Sequence, residues 1–388
     1  MKQVDIIVLG GGPAGAAAAR AAAQRGATVV VVERNRMPRF KACGGALSEQ
    51  AMAYLDFAIP EEFVDWQVFG ARVHFGERSV EARLDERIAV LVTRSRFDHF
   101  LLLKAEEAGA EVLWDEAKSV EADASGVLVR TGGGRIRAEC AIICEGANRR
   151  LSRVVRPKDR PWEQGFCIEA EIPVGSADSY ADLVGLIDLY FGLAGQGYGW
   201  VFHHGTYYSV GVGGLCSSFS SPLAVFHRFI RQRGLNSPDM KPVGHFIPCG
   251  GVSRKVHAGR LLLAGDAAGF VDSFYGEGIA YAIKSGHLAA QTAVEALAGR
   301  GFSSGAMARY GKACHKAFDR NLRYSLLLTR LMHGCPSVFI RLLSSDERVL
   351  RKYLLVPSMK WSYKQYLWWL LPRVPLFLLS PGDVPPRG

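Results

Sequence analysis

The stretch VDIIVLGGGPAG, residues 4–15, constrains this chain more than any other. Its first half is an apolar, β-rich run, the pattern of a buried parallel strand. Its second half is a glycine turn that opens into PAGAAAARAAAQRG (13–26), an alanine-dense helix with a glycine stop at Gly26. ATVVVVER (27–34) reads as a second buried strand, so the three pieces form a βαβ unit. In such a unit Gly10 permits the tight turn, Gly12 lets the backbone approach a pyrophosphate, and Gly15 lets helix and strand pack closely. The helix N-terminus then faces the phosphates. Glu33 ends the second strand, where an acid accepts hydrogen bonds from ribose hydroxyls. An acid there, rather than Arg, argues against a 2′-phosphate, which leaves FAD or NAD.

A second stretch, GRLLLAGDAAGFVDSFYGEGIAYAIKSGHLAA (259–290), narrows the choice. RLLLAGD reads as a buried strand with Asp266 at its C-terminal end, where ligands of α/β sheets sit. A helix follows, entered through Gly276 and Gly278. Its first N–H groups suit the O2/N1 edge of a flavin, where negative charge builds on reduction.

These two motifs, with Arg94-Ser-Arg-Phe-Asp-His-Phe-Leu between them, resemble FAD-dependent oxidoreductases of the aromatic-hydroxylase fold. Two further stretches resemble the geranylgeranyl reductase family: RFKACGGALS (39–48), similar to a KxCGG loop, and LYFGLAGQGYGWVF (189–202), similar to a YxWxF stretch. The resemblance covers roughly residues 1–340. It implies that Gly10, Gly12, Ala14 and Gly15 hold the pyrophosphate and Glu33 the ribose. It places Cys43, Gly44 and Gly45 along the isoalloxazine ring and Arg94 near the phosphate–ribitol region. Asp266 would bond the ribityl chain, and Gly278 and Ile279 would meet the pyrimidine edge. Three positions depart from the pattern: Ser273 and His203 stand where the family has proline, and Glu145-Gly146 replaces the usual Asp-Gly turn.

The expected architecture is α/β, or α+β overall. A Rossmann-like FAD domain takes residues 1–65, 94–160 and 245–300, and an antiparallel-sheet substrate domain takes 66–93 and 161–244. Within the latter, GFCIEAEIPV, DLVGLIDLYFG, GYGWVFHHG and TYYSVGVGGL alternate between polar turns, as strands of one sheet do. Residues 301–388 read as helices. KWSYKQYLWWLLPRVPLFLLS (360–380) mixes Trp361, Trp368 and Trp369 with Lys360, Lys364 and Arg373, an interfacial composition that Pro372 and Pro375 keep from forming one continuous span. Peripheral contact with the inner face of a membrane is weighed there against a helix packed on the domain.

Composition bounds the partners. The net charge of +10 over 388 residues is spread without a basic block, which sets nucleic acid aside and favours a cofactor phosphate and an anionic membrane surface. None of the eight cysteines, Cys335 among them, forms a CxxC pair, and no metal-ligand spacing appears, so no metal is expected. The first strand follows the N-terminus directly, so a cytoplasmic chain with reduced thiols is expected.

The flavin is therefore expected to carry the chemistry while the protein orients and dries the site. The resemblance implies hydrogenation of isoprenoid carbon–carbon double bonds in a lipid, quinone or pigment side chain. Tyr198, Trp200 and Phe202 alternate along one strand, face one side and suit the wall of an apolar channel. Cys43, Tyr275 and Glu277 are the candidate catalytic groups, with bound water as a further proton source. His203 and His204 read as surface or turn residues. No second GxGxxG unit stands ready for NAD(P)H, so the reductant is either NAD(P)H bound transiently or an electron-carrier protein. The competing readings are an FAD monooxygenase, a flavin halogenase, for which Tyr198 stands where a second tryptophan is needed, and a non-enzymatic membrane-associated flavoprotein.

Overall fold

The structure is a computed structural model. It describes residues 2–374 apart from 149, 176–181, 194–196, 236, 250–253, 335–337, 339–341 and 344–345, so Cys335, Pro375 and the rest of the tail lie outside the described residues.

A parallel sheet includes both strands of the first strand–turn–helix–strand unit of the chain. Its order is Leu261–Leu263, Arg135–Ile143, Lys2–Leu9, Val29–Glu33, Glu111–Trp114. The central strands are near-continuous Val, Ile and Leu because both of their faces are covered. An antiparallel ribbon, Ala117–Asp123 with Gly126–Thr131, continues from the N-terminal half of Arg135–Ile143. The helix Pro13–Ala23 starts with Pro in its first turn and is buried through its alanines. It lies against Ile279–Glu295, with Gly286 set against Ala14 and Ala18, so residues far apart in sequence meet at one place.

The turn between strand and helix depends on two glycines. Gly10 has φ +111°, and a Cβ there would stand 2.4 Å from the Cys144 carbonyl oxygen. A Cβ on Gly15 would fall 1.8 Å from the Gly10 oxygen. No side chain fits either position.

A second sheet of seven strands runs Val243–Ile247, Gly165–Pro173, Tyr207–Leu215, Gly197–His203, Leu186–Phe191, Gly70–Phe75, Arg78–Arg83. Only the pair Leu186–Phe191 and Gly70–Phe75 is parallel. Alternation decides its faces. Ala170, Val201, Tyr208, Val210 and Val212 point to one side and are covered by Phe226, Phe229 and Ile230 of the helix Pro222–Gln232. Trp200, Phe202, Val73 and Cys167 point to the other side, with Phe274 and the helices Glu347–Leu354 and Tyr363–Leu370. The remaining strands near 66–93 do not join this sheet: Ala89–Leu91 lies between Trp66–Val68 and Ala46–Ser48 and pairs with both in a separate three-stranded sheet.

The tail helix Tyr363–Leu370 opens with a capping box between Ser362 and Gln365 and buries Tyr363, Tyr366, Leu367 and Leu370. Trp368 is 69% exposed, whereas Trp361 and Trp369 pack partly against the core. Among the described residues no helix is long and apolar enough to cross a membrane.

Candidate functional site

A cavity of about 680 Å³ runs from the glycine turn, between the two sheets, to the C-terminal helices. Gly10, Gly12, Ala14 and Glu33 line one end. Cys43, Gly44, Gly45, Arg94, Asp266, Gly278 and Ile279 line its middle. Tyr198, Trp200, Phe202, Tyr275 and Glu277 stand beyond, and Val73, Leu189, Leu343, Leu350 and Leu354 line an apolar far end. The fold thus brings all but one of the site residues expected from sequence to a single cavity; Gly15 stands beneath its wall.

At the glycine turn, Glu33 is buried and accepts from the Gly11 N–H at 2.6 Å and the Asn35 N–H at 2.9 Å. Its carboxylate keeps lone pairs for ribose hydroxyls. Arg94 is buried and forms a two-bond pair with Asp98, 2.8 and 2.9 Å, so much of its charge is matched within its own helix. Arg39 reaches the same Asp98 through Nη2 at 3.1 Å. Its Nη1 is buried without a hydrogen-bond partner, and its Nη2 stands 3.7 Å from the position of a Cβ on Gly12. An unpaired guanidinium N–H beside an open glycine and a helix N-terminus fits a phosphate. Sequence reasoning missed Arg39; its place directly before the Cys-Gly-Gly loop was the available signal.

Asp266 follows Leu261–Leu263 on a single tight turn. Burial raises its carboxyl, and Lys41 and Arg94 oppose that shift. Lys41 Nζ meets His245 Nε2 at 2.7 Å. Burial and Lys41 push His245 down to about 3, so the ring is neutral and its Nε2 accepts.

The Cys-Gly-Gly loop lies under the aromatic strand. Cys43 is half-buried, and its Sγ accepts from the Gly45 N–H at 3.4 Å. His203 and His204 correct part of the sequence expectation: both are buried rather than at the surface, although His204 closes the hairpin turn to Tyr207. His204 Nε2 meets the Gly44 oxygen at 3.1 Å and its Nδ1 meets Asp65 at 2.9 Å, so it braces the loop. An alternating strand gives no sign of a histidine tucked under a neighbouring loop. Glu145, in place of the usual Asp, reaches the N–H groups of Arg150, Leu151 and Ser152 at 2.6–3.0 Å and ties down the turn beside Gly10.

Beyond the Cys-Gly-Gly loop Tyr275 Oη donates to Glu277 Oε2 at 2.5 Å, Ser48 Oγ donates to Glu277 Oε1, and Tyr198 Oη donates to the Tyr275 carbonyl at 2.5 Å. Burial pushes the Glu277 carboxyl up to about 7, against these hydrogen bonds. Such an acid holds a proton near neutral pH. Ser273 donates its N–H to Ser325 Oγ at 3.1 Å, a bond that proline could not make. Among the described residues seven cysteines are free and no cluster suits a metal.

Residues 5–146 match the FAD-dependent oxidoreductase family model. The chain is 30% identical to digeranylgeranylglycerophospholipid reductase 2 of Methanothermobacter thermautotrophicus, over 85% of this chain and 88% of that one. It is also 30% identical to the geranylgeranyl diphosphate reductase of Rhodobacter capsulatus, over 67% and 68%. The fold matches a geranylgeranyl bacteriochlorophyll reductase-like protein of Thermoplasma acidophilum with a TM-score of 0.80, at 23% identity over 96% of this chain and 99% of that one. A flavin-dependent brominase shares the fold at TM-score 0.72 and 20% identity, over 93% and 94% of the two chains.

Proposed function

The chain belongs to the geranylgeranyl reductase family of FAD-dependent oxidoreductases, and from that membership we propose that it hydrogenates carbon–carbon double bonds of an isoprenoid lipid, quinone or pigment side chain. One observation carries the reading. The cavity passes from the glycine turn to an apolar far end, with the hydrogen-bonded Tyr275–Glu277 pair at the junction.

Bound reduced FAD supplies a hydride to one alkene carbon. The protein's part is to supply the proton, the position and the dry surroundings. Gly10, Gly12, Ala14 and Arg39 would hold the pyrophosphate, Glu33 the ribose and Asp266 the ribityl chain, while Gly15 lets the helix pack against the turn beneath them. Cys43, Gly44 and Gly45 would lie along the flavin ring, and Gly278 and Ile279 would meet the pyrimidine edge. Arg94, matched by Asp98, supports Arg39. Tyr198, Trp200 and Phe202 guide the isoprenoid, and Val73, Leu350 and Leu354 exclude water around its tail. Tyr275, turning its hydroxyl from Glu277 to the substrate, would give the proton to the second carbon and be re-protonated by the Glu277 carboxyl; Cys43 would line the ring in this scheme. In this reading the cofactor unit is drawn from 1–65, 94–160 and 248–300, the large sheet takes Gly70–Phe75, Arg78–Arg83, the strands of 161–244 and Val243–Ile247, and the C-terminal helices follow.

NAD(P)H or an electron-carrier protein supplies the reducing equivalents in this reading. Lys364, Trp368 and Leu371, with Met359 nearby, form a basic and apolar outer face suited to peripheral contact with anionic lipid.

The test uses the purified holoprotein, reduced with dithionite under argon and given geranylgeranyl lipids. The proposal predicts a gain of two hydrogens per double bond by mass spectrometry. A strict need for oxygen, with gain of one oxygen atom, would replace it with monooxygenation. Pelleting with phosphatidylglycerol vesicles tests the membrane face, and a protein that stays in the supernatant removes it.

A further inference from the structure

Glu169 lies on Gly165–Pro173, outside the cavity lining, yet it faces the site side of the large sheet. It is 1% exposed. Its Oε2 accepts from the Cys43 N–H at 2.7 Å, and its Oε1 accepts from Ser209 Oγ at 3.0 Å. Ser209 Oγ in turn accepts from Trp200 Nε1 at 3.2 Å. The chain has one direction: indole to hydroxyl to carboxylate, with the loop N–H arriving at the other oxygen.

The sheet register makes this reach available. Trp200 and Glu169 both pair with Gly211, from opposite sides. A Cβ at 211 would stand 2.2 Å from the Trp200 ring, so the indole lies across a strand position that has no side chain. A carboxyl this deeply buried is costly without partners. Burial pushes it up to about 7, with Lys41 and the hydrogen bonds from Cys43 and Ser209 drawing it down and Glu171 pushing it further up. The cost is borne at a point where two walls of the cavity, otherwise unconnected in sequence, are tied to one side chain.

We infer that Glu169 is a positioning residue: it fastens the Cys43 loop and the Trp200 indole to one point and so sets the gap in which the flavin ring and substrate meet. The inference rests on the proposed placement of the flavin ring beside Cys43. It extends that reading to a residue that touches neither cofactor nor substrate.

Glutamine at 169 retains one acceptor for the Cys43 N–H and a donor for Ser209 Oγ, so it can keep both links; alanine can keep neither. The experiment measures alkylation of Cys43 by iodoacetamide in the FAD-loaded protein, site by site by mass spectrometry, with the half-buried Cys216 as internal reference. The flavin absorbance spectrum is recorded alongside. Glu169→Ala is expected to raise the Cys43 rate on the order of tenfold, the scale of one lost charge-assisted hydrogen bond, and to shift the flavin bands. Glu169→Gln is expected to stay within about twofold of the parent, the scale of a retained hydrogen-bond set. Ser209→Ala, which cuts only the Trp200 link, shifts the flavin bands with a smaller change at Cys43, and it serves if Glu169→Ala does not fold. An unchanged Cys43 rate and unchanged spectrum in the folded Ala variants overturn the inference. Neither readout needs isoprenoid turnover. A protein that behaves as expected here but reduces no isoprenoid overturns the proposed substrate and leaves the Glu169 assignment standing.

Discussion

A Cβ on Gly44 would stand 2.6 Å from the Phe202 ring and 3.4 Å from Trp200 Nε1. The loop along the proposed flavin position and the aromatic wall of the proposed substrate channel are therefore in direct contact. Gly44→Ala is expected to force Phe202 out of place, at a cost of about 1–3 kcal/mol in stability. Turnover of an isoprenoid lipid should fall at least about tenfold through misplacement of the reacting groups. Thermal unfolding and single-turnover rates check the two effects separately.

Arg39→Ala removes the buried guanidinium whose Nη1 has no partner beside Gly12. Loss of a charge-assisted phosphate contact of about 1.5–3 kcal/mol predicts FAD affinity lower by roughly 10- to 100-fold. Titration of the apoprotein with FAD measures it. Unchanged affinity would show that this donor faces something other than the cofactor.

Glu277→Gln keeps the shape of the side chain and removes its proton. The rate of double-bond reduction should fall by about 10²- to 10⁴-fold, the usual contribution of a general acid. A donor must be protonated, so the parent rate should decline as pH rises through about 7, where burial places this carboxyl. The Gln variant should lose that limb. Rates under pre-reduced, single-turnover conditions give the profile.

The same group links stability to pH. Its folded-state pKa is raised from 4.5 to about 7, so its contribution is fully present below 4.5 and is lost as pH rises through about 7. The stability of the parent minus that of Glu277→Gln should fall across this window by up to roughly 3 kcal/mol. Taking the difference cancels buried histidines such as His245, whose lowered pKa acts in the opposite sense. Denaturant melts of the two apoproteins at matched pH provide the measurement.

Leu350, on the helix Glu347–Leu354, lines the far end of the cavity. Leu350→Trp should shorten that end. The ratio of geranylgeranyl to geranyl substrate turnover is expected to fall about tenfold or more, since the lost apolar contact is worth about 0.8 kcal/mol per CH₂. Competition assays with mixed chain lengths measure the ratio.

Local patterns carried the cofactor end of this protein. A strand, a glycine turn and an alanine helix are contiguous, and the glycines are demanded by backbone approach that no side chain survives. Strand alternation likewise placed Tyr198, Trp200 and Phe202 on one face, because the side-chain period of a strand is fixed. The pairing of Asp98 with Arg39, the burial of His204 under Gly44 and the reach of Glu169 to Cys43 were not legible. Each joins elements far apart in the chain, and an isolated Glu in an alternating strand looks the same whether it meets water or a loop. The apolar end of the cavity, too, depends on where the C-terminal helices dock.

What the sequence determined alone is therefore what neighbouring residues dictate to one another: the βαβ unit, the acid at the end of its second strand, the helix entry at Gly278 and the direction of the aromatic strand. Only the tertiary structure decided which charges share a partner, which polar groups are buried and how two walls meet at the proposed ring. Those outcomes turn on desolvation and long-range packing, which depend on the whole surroundings of a group and not on its neighbours along the chain.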